Sequence, residues 1–586
     1  MDTHIRPFHE IALCLSGGGY RAAGFHLGAM SYLNRLKVKD GRLIERVKAI
    51  STVSGGTIIG AYYVLCDAQG KSFSTFYEGF RDFMNQHDLI KESLERLGGS
   101  EEWKYDDKSR NLINAFAEIY DELLTGGEKM STIADSKQGH ISLCSFNTTE
   151  FQQGINFRFQ SERIEDKPNK RLRRGNRYVP IAYDVHGEVR VSDIIASSSC
   201  FPGGFEPMRF PHDFCDENSQ HLNELKKNPQ FQDGVGLMDG GIYDNQGIDS
   251  IRISEQRRAT RHPDRLLQHA KDRLPYDLLI ISDVSSPDVN KPFKFHEAQD
   301  RKISHYSFNR VLAWIQSVGT MWVWLSIFLI LTAMVMLVIN GWQDNIIAGV
   351  SLMLGGLGMV ILVFRYILGN KVKFWYGEFK EFVNGSIDDF YLKKLSTLDF
   401  KNYSVKQLEP LVMDRINSVS LMVQDLFLKQ VRRLKYNSIY DDPLYKNKRI
   451  ANLIKELTEE DWSKTKDFQD LDNIDDLLKG DYHNVMGKKL PAIVKEASSF
   501  GTTLWFTDED KVKDMLDSLI VTGQATMCFN LMVHIEQLKN NDTWDQLVEA
   551  ERKEVLGVYD QCRKDWIQFK NTPDCLLDDP DAGLQA

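Results

Sequence analysis

The chain has 586 residues, 42% hydrophobic and 26% charged, a balance that excludes a mainly disordered, collagen-like or coiled-coil protein. Acidic residues (82) outnumber basic ones (72), and a net charge of −10 is the wrong sign for gripping a nucleic-acid backbone. At roughly 150 residues per domain the length allows about four domains, or fewer with insertions.

Met1 to Glu10 carries Asp2 and Glu10 and no apolar run, so no secretory signal is read there. Ile11–Leu15 is a short apolar run that ends at Gly17-Gly18-Gly19. Tyr20–Leu36 follows with helical spacing at Ala23, His26, Leu27, Met30 and Leu33. The pattern repeats: Val47–Val53 predicts a strand, Ser54-Gly55-Gly56 a turn and Thr57–Cys66 an apolar helix. Strand, turn and helix twice over predict an α/β fold with a parallel or mixed sheet. Phe73 to about Ser136 is charged and helical and predicts a cap over the sheet edge. Further strands are expected at Ile141–Asn147, Phe205–Phe210, Gly236–Asp239 and Tyr276–Asp283. The basic island Lys167–Arg177 reads as an exposed loop or as a surface for anionic lipid.

Met321 to Ile339 and Ile346 to Phe364 are uncharged, each close to the ~20 apolar residues that cross a bilayer as a helix. The polar linker 340–345 between them predicts a helical hairpin. Lys291, Lys294, Arg301, Lys302 and Arg310 precede it and Arg365, Lys371 and Lys373 follow, so both long ends are expected in the cytoplasm. Trp322, Trp324, Trp342 and Trp375 fall where interfacial aromatics are favoured, and Ser351 and Gly355 suit close helix approach. The competing reading is a buried hairpin of a large soluble core. Beyond it, Leu411–Leu434 repeats apolar residues at Val412, Ile416, Val419, Val423, Leu426 and Phe427, predicting one helix with one buried stripe. Glu459–Asp481 reads as an acidic solvated surface, and Thr507 as the cap of a helix through Met515, Leu519 and Ile520.

Eight scattered cysteines (Cys14, Cys66, Cys144, Cys200, Cys215, Cys528, Cys562, Cys575) form no CxxC pair. They fit neither a zinc knuckle nor a disulfide framework and read as reduced, mostly buried thiols of a cytosolic protein. No HExxH, EF-hand or P-loop pattern is present, so neither a metal nor an organic cofactor is expected.

Three local patterns carry chemistry. Consecutive glycines at 17–19 let the backbone turn sharply and aim N–H groups at an anion on a helix N-terminus. A relaxed dinucleotide fingerprint also fits there, but it needs an acid at the end of the next strand, and that strand ends in Ser54. Ser54, between Thr52-Val53 and Gly55-Gly56, has the setting of a nucleophile on a strand-to-helix elbow; the plain alternative is a helix N-cap. Asp239, before Gly240-Gly241, stands at a strand end; the plain alternative is a turn aspartate.

Together and in this order, Gly17–Arg21, Thr52–Gly56 and Asp239–Gly241 resemble the GGGxR, GxSxG and DGG marks of the patatin-like phospholipase family, over roughly Glu10 to Ser286. Ser197–Pro202 is similar to a further family stretch, with serine for its alanine. Gly501–Gly523 is similar to the closing segment of bacterial members, so the hairpin would interrupt the catalytic unit before its last helix. Thr52 departs from the motif, which has glycine there. The resemblance implies a three-layer α/β fold around a central mostly parallel sheet, plus the transmembrane hairpin and a helical C-terminal region. It implies Ser54 as nucleophile and Asp239 as general base in a dyad, with the N–H groups of Gly17, Gly18 and Gly19 as the oxyanion hole. Arg21, Thr52, Gly56, Gly240 and Gly241 support the motifs, Arg21 by pinning the turn or meeting a phosphate headgroup; the plain alternative for Arg21 is a surface salt bridge.

The resulting division is a catalytic core at 1–290, a basic linker at 291–320, the hairpin at 321–368, a charged helical region at 369–496 and C-terminal helices at 497–586. The expectation is a membrane-anchored serine lipid acyl hydrolase of phospholipase A type acting on membrane phospholipid, on the cytoplasmic face of a bacterial inner membrane. The 369–496 helices are expected to serve regulation, a protein partner or a homo-oligomer. The alternatives are a neutral-lipid lipase, a lysophospholipase, or a catalytically silent membrane scaffold on the same fold.

Overall fold

The computed structural model describes residues 6–99, 103–104, 108–163, 174–216, 218–261, 276–285, 294–297, 300, 305–340, 350, 352–363, 404–422, 426–462, 468–469, 471 and 474–578. The chain forms two compact units, one of Met1–Asn290 with Met422–Ala586 and one of Lys291–Leu421.

In the first unit β1 (Ile11–Leu15) leads through the glycine turn into α1 (Gly19–Arg35), and β2 (Val47–Val53) leads through Ser54 into α2 (Gly55–Ala68). The antiparallel pair β3 (Leu143–Glu150) and β4 (Ile155–Glu162) follows, then α3 (Val191–Ser198), β5 (Met208–Phe210), β6 (Val235–Asp239), α4 (Ile248–Arg261) and β7 (Leu278–Asp283). After the second unit come α5 (Phe427–Tyr440), β8 (Arg449–Leu453), α6 (Met515–Lys539) and α7 (Glu549–Asn571). The sheet runs β8-β7-β1-β2-β3 in parallel, and β3 then pairs antiparallel with β4 and β6. Every residue of β1, β3 and β7 is buried, as expected of strands covered on both faces. This is a mostly parallel α/β sheet flanked by helices.

The carboxyl ends of β1 and β2 meet the amino ends of α1 and α2, the edge where open α/β sheets place their chemistry. Helix α6 lies along α1 at backbone contact: a Cβ on Gly28 would stand 2.0 Å from the Ile520 carbonyl oxygen, and one on Gly523 would stand 2.1 Å from that of Phe25. Among the described residues α6 is the one helix long and apolar enough to cross a membrane, and 89% of its apolar window is buried inside the protein. Its hydrophobicity is that of a core helix.

Ile11–Leu15 and Val47–Val53 coincide with the expected strands, the later strand ends shift by up to three residues, and β4 and β8 were not expected. Within Leu411–Leu434 the described residues are helical up to Met422 and again from Leu426, 423–425 lie outside the description, and the expected stripe is not buried: Ile416, Val419, Leu426 and Phe427 are half exposed or more. A periodic stripe states that a helix has an apolar face, not that anything covers it. Segment 73–136 is helical at Phe73–Gln86, Leu89–Leu97, Leu112–Tyr120 and Met130–Ala134, and Phe76 and Phe80 pack their rings on Tyr62 of α2. Of the basic island, 164–173 lies outside the described residues, while Arg174 is buried over the Tyr183 ring. All eight cysteines are free, and only Cys575 is exposed.

In the second unit one helix, Phe308–Asn340, contains the first apolar run. Of the second run, residues 350 and 352–363 are described; linker residues 341–345, Ser351, Trp342, Trp375, Lys291, Arg301, Lys302, Arg365, Lys371 and Lys373 lie outside the description. Gly358 fits against the Ser326 carbonyl and Ile330, and Gly355 against Ala333, so the two runs pack on each other. Trp324, Phe328, Val338, Met353 and Val360 are all more than 60% exposed.

Candidate active site

Ser54 occupies the turn between β2 and α2 with φ 50° and ψ −123°, a backbone conformation that costs a side-chain-bearing residue of order 1–3 kcal/mol. Its carbonyl accepts the first two N–H groups that α2 offers it, from Thr57 (2.7 Å) and Ile58 (3.2 Å), but its hydroxyl caps nothing. The hydroxyl instead stands close enough to the Asp239 carboxylate, at the end of β6, to favour its charged form. The N-cap reading of Ser54 therefore gives way to a strained, strand-to-helix elbow.

Asp239 is 4% exposed, and Gly241 N–H donates to its Oδ1 at 2.6 Å. Burial outweighs the Gly241 hydrogen bond and the nearby Ser54 hydroxyl and lifts its carboxyl to about 6. Asp239 N–H donates to the Cys200 carbonyl and Gly240 N–H to that of Ser198, which fixes β6 beside the loop after α3.

The glycine turn faces this pair. A Cβ on Gly17 would come within 2.9 Å of Ser54 Cβ, and one on Gly55 within 2.2 Å of the Gly19 carbonyl oxygen, so both positions exclude any larger residue. Gly18 (φ 150°) and Gly19 (φ 57°) lie in the left-handed half of backbone space that glycine enters without strain. Gly17 N–H is spent on the Asn245 carbonyl at 3.0 Å. Among the described residues the amides of Gly18 and Gly19 take no backbone partner, and they sit at the positive end of the 17-residue α1.

Arg21 is buried, and its Nη1 donates to the Phe500 carbonyl at 2.8 Å. Tyr20 N–H donates to the Thr503 carbonyl (2.8 Å), so the segment from Phe500 to Thr503 is tied to the turn at two points. Of the roles read for Arg21, pinning is the one its contacts describe, and its burial leaves no surface salt bridge. Thr52 stays at a negative φ within β2 and bonds Thr57 through its hydroxyl (2.9 Å), while its methyl fills the space left by Gly60, where a Cβ would stand 2.4 Å from it. Gly56 passes against the Leu15 carbonyl and Gly240 against that of Asn147.

Several positioning residues carry no motif. Ser198 Oγ accepts from Ser54 N–H (3.0 Å), donates to the Asn147 carbonyl (2.7 Å) and meets Thr57 Oγ1 (2.8 Å), steadying the elbow. Asn147 Nδ2 donates to Ser51 Oγ and to the Thr52 carbonyl (both 2.9 Å), and its Oδ1 accepts from Ser250. The only signal was the serine run 197–199; Asn147 and Asn245 gave none. His26 is fully buried, between the Ser16 carbonyl and Ser282 Oγ, and burial lowers it to about 4, so it stays neutral. No described group of three His, Cys, Asp or Glu side chains is placed to hold a metal ion.

A serine on a strained strand-to-helix turn, beside a buried carboxylate and the amino end of a helix, sits in an α/β sheet where acyl transfer could take place. The sequence model of the family described as patatin-like phospholipase matches residues 13–251, from within β1 into α4. The chain therefore carries a patatin-like phospholipase domain, whose family is one of lipid acyl hydrolases. No curated protein matches the chain. Strands β7 and β8 and helix α6 fall outside the matched stretch yet belong to the same sheet and core.

Proposed function

We propose that the chain is a membrane-anchored serine lipid acyl hydrolase of phospholipase A type, with Ser54 as nucleophile and Asp239 as general base. The observation that carries this reading is the strained Ser54 elbow beside a buried carboxylate whose pKa has risen toward neutrality. Asp239 takes the hydroxyl proton as Ser54 Oγ bonds to the ester carbonyl carbon. The oxyanion is held by the amides of Gly18 and Gly19, donors that typically supply ~2.7–4 kcal/mol each. Asp239 returns the proton to the departing glycerol oxygen, leaving an acyl ester on Ser54. Water then attacks this ester with Asp239 again as base, freeing the fatty acid.

Membrane anchoring draws support from the second unit. An exposed apolar surface of this extent has no place in water, and Ser326 and Thr332 hydroxyls donate to the i−4 carbonyls of Trp322 and Phe328, satisfying themselves within the helix as hydrocarbon requires. Two spans with both long ends in the cytoplasm would tether an esterase beside its two-dimensional substrate. The 369–496 region is proposed as a regulatory or partner-binding element.

Fatty-acid release from mixed phospholipid vesicles tests this function. Ser54→Ala and Asp239→Asn are each expected to lose roughly 10³-fold or more in kcat. Equal release by wild type and both variants removes the dyad. No release by any of them under any lipid composition favours the silent scaffold.

A further inference from the structure

His26 lies two turns into α1, fully buried, and touches no substrate, yet its ring is built into the turn that would hold the oxyanion. Nε2 is 3.0 Å from the Ser16 carbonyl oxygen, which only accepts, so Nε2 carries the proton. Nδ1 of the neutral ring is then an acceptor, and at 2.9 Å the Ser282 hydroxyl donates to it. Ser282 Oγ in turn accepts from Asn452 Nδ2 (3.3 Å), Asn452 Oδ1 accepts from Asn530 Nδ2 (3.2 Å), and Asn530 Nδ2 also donates to Glu456 Oε2 (2.8 Å). Every hydrogen in this chain has one direction, and His26, Ser282 and Asn452 are 0% exposed.

The chain ends on a single peptide plane. Ser16 C=O is held by His26 on one edge, and Gly17 N–H is held by the Asn245 carbonyl on the other. A trans peptide points its C=O and N–H in opposite directions, so the two contacts clamp the Ser16–Gly17 unit like a bar gripped at both ends. The next two residues are the conformationally soft Gly18 and Gly19, whose amides have no other anchor of this kind. An oxyanion donor is effective only where it is already aimed, and a 1 Å misplacement is enough to cost about 10²-fold.

We propose that His26 is a positioning residue for the oxyanion turn, the inner end of a buried polar chain that joins Ser16 to Asn452 and Asn530. Ser282 belongs to the last strand before the apolar insertion, and Asn452 and Asn530 to the first strand and the core helix after it. The turn is therefore completed by segments on both sides of the insertion. This rests on the serine hydrolase reading above.

The test uses the full-length protein, a soluble short-chain ester and hydrogen–deuterium exchange of the peptide spanning residues 15–24. His26→Leu keeps volume and removes both hydrogen bonds; it is expected to lower kcat about tenfold to a hundredfold at unchanged KM. The 16–20 amides are expected to exchange at least about tenfold faster than in wild type, while the later turns of α1 hold their protection. His26→Gln, which still offers an N–H to Ser16, is expected to recover most of both, and Ser282→Ala to fall between and to serve if the leucine variant does not fold. Unchanged exchange at 16–20 in the variants overturns the proposal, as does a loss in KM alone. If Ser54→Ala hydrolyses the ester like wild type while the exchange still accelerates in His26→Leu, the nucleophile assignment fails and the ordering of the turn stands, so the two failures are told apart.

Discussion

Burying Asp239 gives it basicity at a cost in stability. Its carboxyl titrates at about 6 in the folded protein and at 3.8 when unfolded, so the folded state binds this proton more tightly. A group raised on folding contributes full stability below its unfolded pKa and loses it as pH rises through the folded one. At pH 8 the ionised group costs about 3 kcal/mol, and at pH 5 roughly half of that. Asp239→Asn keeps an acceptor for Gly241 and carries no charge. It is therefore expected to raise the midpoint of urea unfolding at pH 8, with a gain over wild type that shrinks by about half at pH 5. Activity runs the other way: wild-type kcat/KM should fall tenfold per unit below about pH 6 as the base is protonated. A gain for the asparagine variant that is the same at both pH values would mean that Asp239 is not held in a desolvating site. His26 and His534, lowered to about 4 by burial, add the opposite pH slope to both proteins and cancel in the difference.

At the scale of elements, the glycine turn, the elbow and the strand end at Asp239 were legible because each compresses a backbone requirement into two or three small residues at fixed spacing. The parts that hold them were not. Asn147 reads as an unremarked strand residue, Ser198 only as one of a run of serines, and β8 is five residues in a charged region whose strand character comes from pairing with β7. Helix α5 is a similar case. Its sequence shows a charged helix, but Lys435 forms an ion pair with Asp249, covers the Tyr243 ring at 4.1 Å and thereby holds the start of α4, while Arg432 reaches Asp283 at 3.4 Å. Asp249 N–H donates to Asp244, a buried carboxyl also lifted to about 6 chiefly by burial, in the loop that returns from Asp239. Lys435→Met keeps the aliphatic stem and leaves Asp249 unpaired on a half-buried site; it is expected to cost about 1–2 kcal/mol, and Lys435→Glu more. Urea midpoints at constant m-value measure this. Equal stability of all three proteins would show that α5 contributes nothing to this loop.

At the scale of the whole molecule, the sheet is interrupted between two neighbouring parallel strands, β7 and β8, by the entire second unit. Such an insertion is thermodynamically tolerable because loop-closure entropy grows only with the logarithm of length, and pairing β8 against β7 restores the edge. Hydropathy alone does not separate a core helix from a spanning one: α6 is apolar enough to span, but 89% of its apolar window is buried inside the protein, whereas the helix Phe308–Asn340 keeps Trp324, Phe328 and Val338 exposed. The two helices thus differ in what covers them within their own units, and the proposed anchoring rests on the second. Wild-type protein is expected in the membrane pellet after washes with 1 M salt and alkaline carbonate, and in solution only after detergent. Phe328→Arg with Met353→Arg places charge on both outward faces, at about 2.5–3.5 kcal/mol each near a bilayer centre. That variant should leave the pellet and lose vesicle hydrolysis, yet hydrolyse a soluble ester at the wild-type rate, because Ser54 and Asp239 belong to the other unit. Wild-type protein that washes off with salt alone would mean that the outward apolar faces are covered by protein rather than by lipid.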